Sequence, residues 1–141
     1  MMRRLARPYA IAGLVAALVG AVGAITLRII DPVPVIPDAL GFTDLALVGF
    51  EFLGVTFASV GALLVIRRPE NAVGWLMVLI GAGNALAGLT EAVTFSAVAD
   101  GPAGAATAGF AGWLSGLFVM IGALVIGLGF IFPTGRGHTP G

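Results

Sequence analysis

Arg67-Arg68-Pro69-Glu70-Asn71-Ala72-Val73-Gly74-Trp75-Leu76 separates two long apolar runs and decides how both are read. Two arginines and a proline close the run before it, and Trp75 opens the run after it. Proline fixes φ and lacks a backbone N–H, so a helix does not run on through Pro69. Asn71 suits the start of a new helix, because its side-chain oxygen can accept from the free N–H groups of the next turn. Arginine stays out of hydrocarbon and tryptophan settles at the headgroup level. The stretch therefore reads as a tight hairpin at a membrane surface, with one span on each side of it.

Composition agrees. The chain has 141 residues, 59% hydrophobic and 10% charged, with a mean hydropathy of +1.09. Soluble domains carry roughly 25% charged residues. About 20 apolar residues in a helix cross the hydrocarbon core, and four runs reach that length. The expected fold is all-α: an integral membrane bundle of four spans at about residues 10–30, 44–66, 72–98 and 105–132. Residues 1–133 form the membrane domain and 134–141 a short polar tail. A cleaved signal peptide is the rival reading of the first run. Its apolar core exceeds the roughly 7–15 residues usual there, which favours a retained span.

The connectors follow from local chemistry. Three prolines within residues 31–38 make that segment extended and stiff. Thr43 can cap the second span, and Asp100-Gly101-Pro102 stops the third. Orientation follows from arginine. Arg3, Arg4, Arg7, Arg67, Arg68 and Arg136 fall on one side, and Arg28 alone on the other, with Asp31, Asp38, Asp44 and Asp100. The arginine side is the cytoplasmic one, so both termini are expected in the cytoplasm. Tyr9 and Trp75 fall at the inner interface and Trp113 towards the outer one.

Small residues recur along every span. The rows are Gly13/Ala17/Gly20/Ala24, Gly54/Ala58/Gly61, Gly74/Gly81/Gly88 and Ala108/Ser115/Gly122/Gly129, with Gly112 beside the last. Lipid tails are as apolar as leucine, so membrane helices associate by close packing, which small residues permit. A seven-residue period implies left-handed crossings near +20°. These rows are the expected seams. The competing explanation is chance in a chain so rich in glycine and alanine.

Arg28, Glu51, Asn84 and Glu91 stand inside apolar runs, where ionisable and polar groups are costly and face the bundle interior. Each lies three or four residues from a small-residue row. Glu51 and Glu91 sit at matched depth, roughly 10 Å below the outer helix ends at 1.5 Å per residue. One arginine cannot neutralise two carboxylates. Arg28 is expected to pair with one glutamate, the other being protonated or hydrogen-bonded to Thr94 or Thr26. The functional reading is a site for a proton, a cation or a small polar ligand, open to the outer face. The structural reading is a clasp between helices.

Other chemistry finds no support. There is no cysteine and a single histidine, His138, in the tail, so no metal site is expected. Ser59, Ser96 and Ser115 have no base at useful spacing. The glycine-rich stretches lie within spans and are not phosphate loops. No cofactor is implied. The arginines can meet anionic headgroups but are too few and scattered for nucleic acid. The expected surroundings are the lipid bilayer, with a homo-oligomer or a cytoplasmic output protein as partners left open.

Residues 67–93 together with residues 131–136 resemble the N-terminal membrane input region of a group of bacterial sensor histidine kinases, common in actinobacteria. In that family a basic hairpin of the type R-x-P-x-N-x-I/V-G-W-L opens one span. That span typically ends in a glutamate followed by an aromatic residue, and a later span closes with L-F-P-D-G-R. Asn71, Gly74, Trp75 and Leu76 match the hairpin, Glu91 the glutamate, and Phe132, Pro133, Gly135 and Arg136 the closing motif. Thr134 stands where the family usually has aspartate, and no tyrosine follows Glu91. The resemblance implies a non-catalytic sensor module in a bacterial plasma membrane, signalling through helix repacking. These residues include no phospho-accepting helix and no ATP-binding domain, so a truncated sensor and a stand-alone relative both stay open. Small transport or ion-coupling through Glu51 and Glu91, or a structural membrane partner, are the alternatives.

Overall fold

A computed structural model describes residues 2–31 and 44–131 of the chain, with side chains for residues 5–31 and 48–123. Four long helices make up nearly all of it: α1 (Met2–Ile30), α2 (Asp44–Arg67), α3 (Ala72–Ala99) and α4 (Ala105–Ile131). At 1.5 Å per residue they are about 36–44 Å long, more than the ~30 Å of a hydrocarbon core. All four are apolar enough to cross a membrane. The chain is a multi-pass helical bundle of membrane type. The proline connector, the Thr43 cap, the closing residues Phe132, Pro133, Gly135 and Arg136, and the 134–141 tail lie outside the described residues.

The helix boundaries agree with the sequence except at the start. α1 begins at Met2, well before the apolar run, and carries Pro8 within it. Pro8 removes the hydrogen bond to the Arg4 carbonyl. Tertiary packing offsets that loss: Ala6 and Ala10 on the early turns are buried in one cluster with Ala62, Val65 and Val78 of α2 and α3. The hairpin forms as its residues dictate. The Asn71 side chain accepts from the N–H groups of Val73 (3.0 Å) and Gly74 (3.4 Å) and so caps α3. At the other end of α3, Gly101 adopts φ +64°, which favours glycine. A single 3-10 turn, Gly101–Ala103, then leads into α4.

Small residues fill the core and large ones face outward. Among the described residues, twelve of the fourteen buried hydrophobic residues are alanines, and Val65 is the largest fully buried side chain. Val22, Ile29, Phe52, Phe110 and Trp113 are all more than 60% exposed. Water would penalise that arrangement and lipid tails do not, because in a bilayer helices gain by close packing instead. α3 sits at the centre and packs on the other three helices; α1 also meets α2, whereas among the described residues α4 packs on α3 alone of the long helices.

The glycine rows locate the closest approaches. A Cβ on Gly81 would collide with the Ala58 amide and the Gly54 carbonyl of α2. One on Gly61 would lie 2.6 Å from the Val78 amide, and one on Gly20 2.7 Å from the Ala85 carbonyl. Gly20, Gly61 and Gly81 thus mark real backbone approaches, whereas Gly13 and Gly88 make room for the side chains of Val78 and Glu51. The α4 row is looser than its spacing predicts. A Cβ at Gly112 would make only ordinary contact with Thr94, at 3.6 Å, and one at Gly122 would meet nothing within 4 Å. Spacing alone does not separate a filled seam from an open one when glycine and alanine are this common. Gly129 lies beyond the described side chains.

Candidate functional site

Helical periodicity turns four polar side chains towards one another. Asn84, Gly88 and Glu91 follow at steps of four and three, so they share one face of α3. Glu51 precedes Gly54 by three residues on the α2 face that meets it, and Arg28 projects from the last turn of α1. All four polar residues line a single cavity of about 170 Å³, near the end of the bundle opposite the Arg67–Arg68 hairpin. α4 completes its wall with Ser115 and Val119.

Glycine makes the room. Glu51 is 2% exposed, and its carboxylate occupies the space that a Cβ on Gly88 would need. Gly54 does the same for Asn84, whose amide nitrogen lies 3.1 Å from the position of a Cβ there. Asn84 uses that space to donate from Nδ2 to the Phe50 carbonyl of α2 at 2.7 Å. This bond locks α3 to α2 immediately beside Glu51.

The charges are distributed unequally. Arg28 Nη2 meets Glu91 Oε2 at 3.5 Å, with the two side chains 15% and 40% exposed. Nη1 of Arg28 and Oε2 of Glu51 are both buried without a hydrogen-bond partner in the protein. The site therefore holds one loose ion pair, one orphan donor and one orphan acceptor.

The expected cluster of Arg28, Glu51, Asn84 and Glu91 is thus assembled in space, and Arg28 pairs with Glu91. The expected threonine partners of the second glutamate are not. Thr94 Oγ1 donates to the Thr90 carbonyl of its own helix at 2.7 Å, the usual fate of a threonine in an apolar helix, and Thr26 is exposed.

The hairpin motif residues serve the opposite end. Asn71 caps α3 and Gly74 is buried against Leu64 and Val65. Trp75 Nε1 donates to the Pro69 carbonyl at 2.9 Å, tying the indole over the turn. Leu76 is half-buried.

Three features escape a reading of the sequence. Ser115 lines the cavity and donates to the Ala87 carbonyl of α3 at 3.3 Å, joining α4 to α3. Val119 lines it beside Ser115. Ser96 Oγ donates to Asp31 Oδ2 at 2.7 Å and pins the end of α1 to α3 just beyond Arg28. Asp31 looks like an ordinary connector residue, and nothing in its spacing points to Ser96.

No protein-family model, curated protein or solved structure matches the chain. The chemistry of the site must therefore be read from its own atoms. Among the described residues no three histidine, aspartate or glutamate side chains gather as metal ligands. Thr56 and Ser59 donate to carbonyls one turn back in α2 and are not activated nucleophiles. What the cavity can do is hold a proton or a small polar molecule between an arginine and two carboxylates.

Proposed function

We propose that this chain is a non-catalytic input module of a bacterial plasma membrane, with both termini cytoplasmic. It resembles the membrane region of a sensor histidine kinase and passes a change in its polar cavity to a cytoplasmic output through helix repacking. The observation that carries this reading is the attachment of α4. Among the described residues this helix packs on α3 alone of the long helices, yet it closes the cavity with Ser115 and Val119. A change of charge or occupancy in the cavity then acts on the least tethered helix. Packed interfaces shift between discrete arrangements, so small changes at such a site are amplified into helix movements. α4 also runs from the cavity end towards the arginine-rich end, where an output would receive the signal.

The second reading is a small carrier using Glu51 and Glu91, favoured by the two carboxylates in one cavity. A carrier needs a path to the far side. The Gly81–Ala58 and Gly20–Ala85 crossings leave no room even for a methyl group, so such a path would have to run along the looser α4 face.

Hydrogen exchange in nanodiscs tests the choice. An input module predicts that Glu91→Gln changes amide exchange along α4 more than along α2. A carrier predicts proton or cation flux into proteoliposomes that Glu51→Gln abolishes. Flux with unchanged α4 exchange overturns the proposal.

A further inference from the structure

The hairpin end of the bundle carries positive charges that the protein itself does not answer. Arg7, Arg67 and Arg68 are all exposed. Among the described residues no carboxylate or carbonyl meets their side chains. Glu70, the acidic residue of the hairpin, is engaged with another group.

These arginines are scattered in the sequence, and the fold gathers them. α1 stays helical through Pro8, so Arg7 stands on a helical turn and not on a loose leader. That turn is docked: Ala6 and Ala10 are buried in one cluster with Ala62 and Val65 of α2. Arg7 follows Ala6 directly, and Arg67 and Arg68 stand within one turn past Val65. Three guanidiniums therefore gather where the first turns of α1 meet the end of α2.

Depth and polarity say what they meet. From Arg7 to Arg28 the helix rises about 32 Å at 1.5 Å per residue, close to the ~30 Å of a hydrocarbon core. With Arg28 near one membrane surface, Arg7 stands at headgroup level on the other. Just inward the surface turns apolar. Ile11 lies one turn from Arg7 on the same face of α1, and Leu63 one turn from Arg67 on the same face of α2. They are 42% and 50% exposed. Each helix thus presents a guanidinium above an aliphatic side chain, the order in which a phospholipid presents phosphate above acyl chain. An acidic protein segment would match the charges but not the aliphatic step below them.

We infer that this end of the α1–α2 pair is a binding site for an anionic phospholipid of the leaflet on the hairpin side. Its phosphate is held by Arg7 together with Arg67 or Arg68, and its chains lie over Ile11 and Leu63. A guanidinium fork matches two phosphate oxygens at once. A choline headgroup would bring a cation to a site that is already positive. The site lies at the opposite end of the bundle from the polar cavity, and its binding does not rest on the input-module reading.

The experiment uses the full chain in a mild non-ionic detergent. Native mass spectrometry counts bound lipid and thermal unfolding reads its effect. The probes are phosphatidylglycerol, phosphatidylcholine, glycerol phosphate and a polyglutamate peptide. Phosphatidylglycerol is expected to bind saturably and to raise Tm. Each arginine near a membrane surface is worth roughly fivefold in binding an anionic lipid, so Arg7→Gln and Arg67→Gln should each weaken phosphatidylglycerol by about that factor. Both replace exposed side chains, and an unchanged Tm without lipid confirms that they fold. Arg7→Lys keeps the charge and loses the fork. A defined site predicts weaker binding for this variant, and a diffuse attraction predicts none. The inference is overturned if phosphatidylcholine binds as well as phosphatidylglycerol, or if Arg7→Lys binds as wild type does. It is also overturned if glycerol phosphate alone gives the full rise in Tm, or if the polyglutamate peptide binds more tightly than the lipid.

Discussion

The carboxylate of Glu51 occupies the place where a side chain on Gly88 would begin. Two helices thus share one volume, and the site exists because α3 has hydrogen where any other residue has carbon. Gly88→Ala should expel the carboxylate and cost about 1–3 kcal/mol, as overpacking does. Gly116→Ala is the matched control: a Cβ there meets nothing within 4 Å, so it should be neutral or stabilise the helix by up to about 1 kcal/mol. Thermal unfolding of both variants in one detergent checks the contrast. Equal effects would mean that the Glu51–Gly88 contact is not made.

The α2–α3 crossing is the tightest in the bundle and should tolerate least. Gly81→Leu would drive a side chain into the Ala58 amide and the Gly54 carbonyl, which are backbone and cannot swing away. Loss of the folded bundle is expected. Gly109→Leu, at a position open to the surroundings, should be accepted. Size-exclusion profiles and helix content after purification separate the two outcomes.

Much of this was legible from residues. Prolines, arginines and apolar runs mark four spans, because crossing lipid imposes length and polarity. The Gly74/Gly81/Gly88 period finds the α3 face that packs on α2, because glycine there leaves room for α2 backbone at Gly81 and for the Glu51 side chain at Gly88. The start of α1 was hidden, since Pro8 and three nearby arginines read as a break while Ala6 and Ala10 pack against Val65 and Val78. The open Gly122 was also hidden, because its spacing matches that of filled positions. In the site, depth and the small-residue faces suggest that Arg28 pairs with one of the two glutamates, and the structure makes it Glu91. The orphan Oε2 of Glu51 and the cavity role of Ser115 depend on which helix lies opposite, and no local pattern records that.

The hairpin makes a separate prediction. Asn71→Ala removes the α3 cap and should cost about 0.5–2 kcal/mol. Trp75→Phe keeps a ring but loses the bond to the Pro69 carbonyl, worth about 0.5–1.5 kcal/mol. Unfolding in a mild detergent measures both. Neither should disturb the Arg28–Glu91 pair, because it lies at the far end of the bundle.

Orientation is open to direct labelling, since the chain contains no cysteine. Single cysteines at Glu70 and at Asp100, both exposed, should react from opposite faces of intact cells. The Asp100 position should react with an impermeant maleimide from outside. The Glu70 position should react only after permeabilisation. The opposite pattern would invert the orientation read from the arginines.

The proposed input module requires the state of the polar cavity to set the position of α4. The most direct measurement is the distance between spin labels at Ile66→Cys on α2 and Met120→Cys on α4, two exposed positions away from the cavity lining. Pulsed electron resonance in nanodiscs would compare wild type with Glu91→Gln and Glu51→Gln, using a pair within α2 as reference. The account predicts that the α2–α4 distance distribution shifts in both variants while the reference pair stays fixed. An unchanged α2–α4 distribution in folded protein would contradict it and leave the cluster as a clasp between helices.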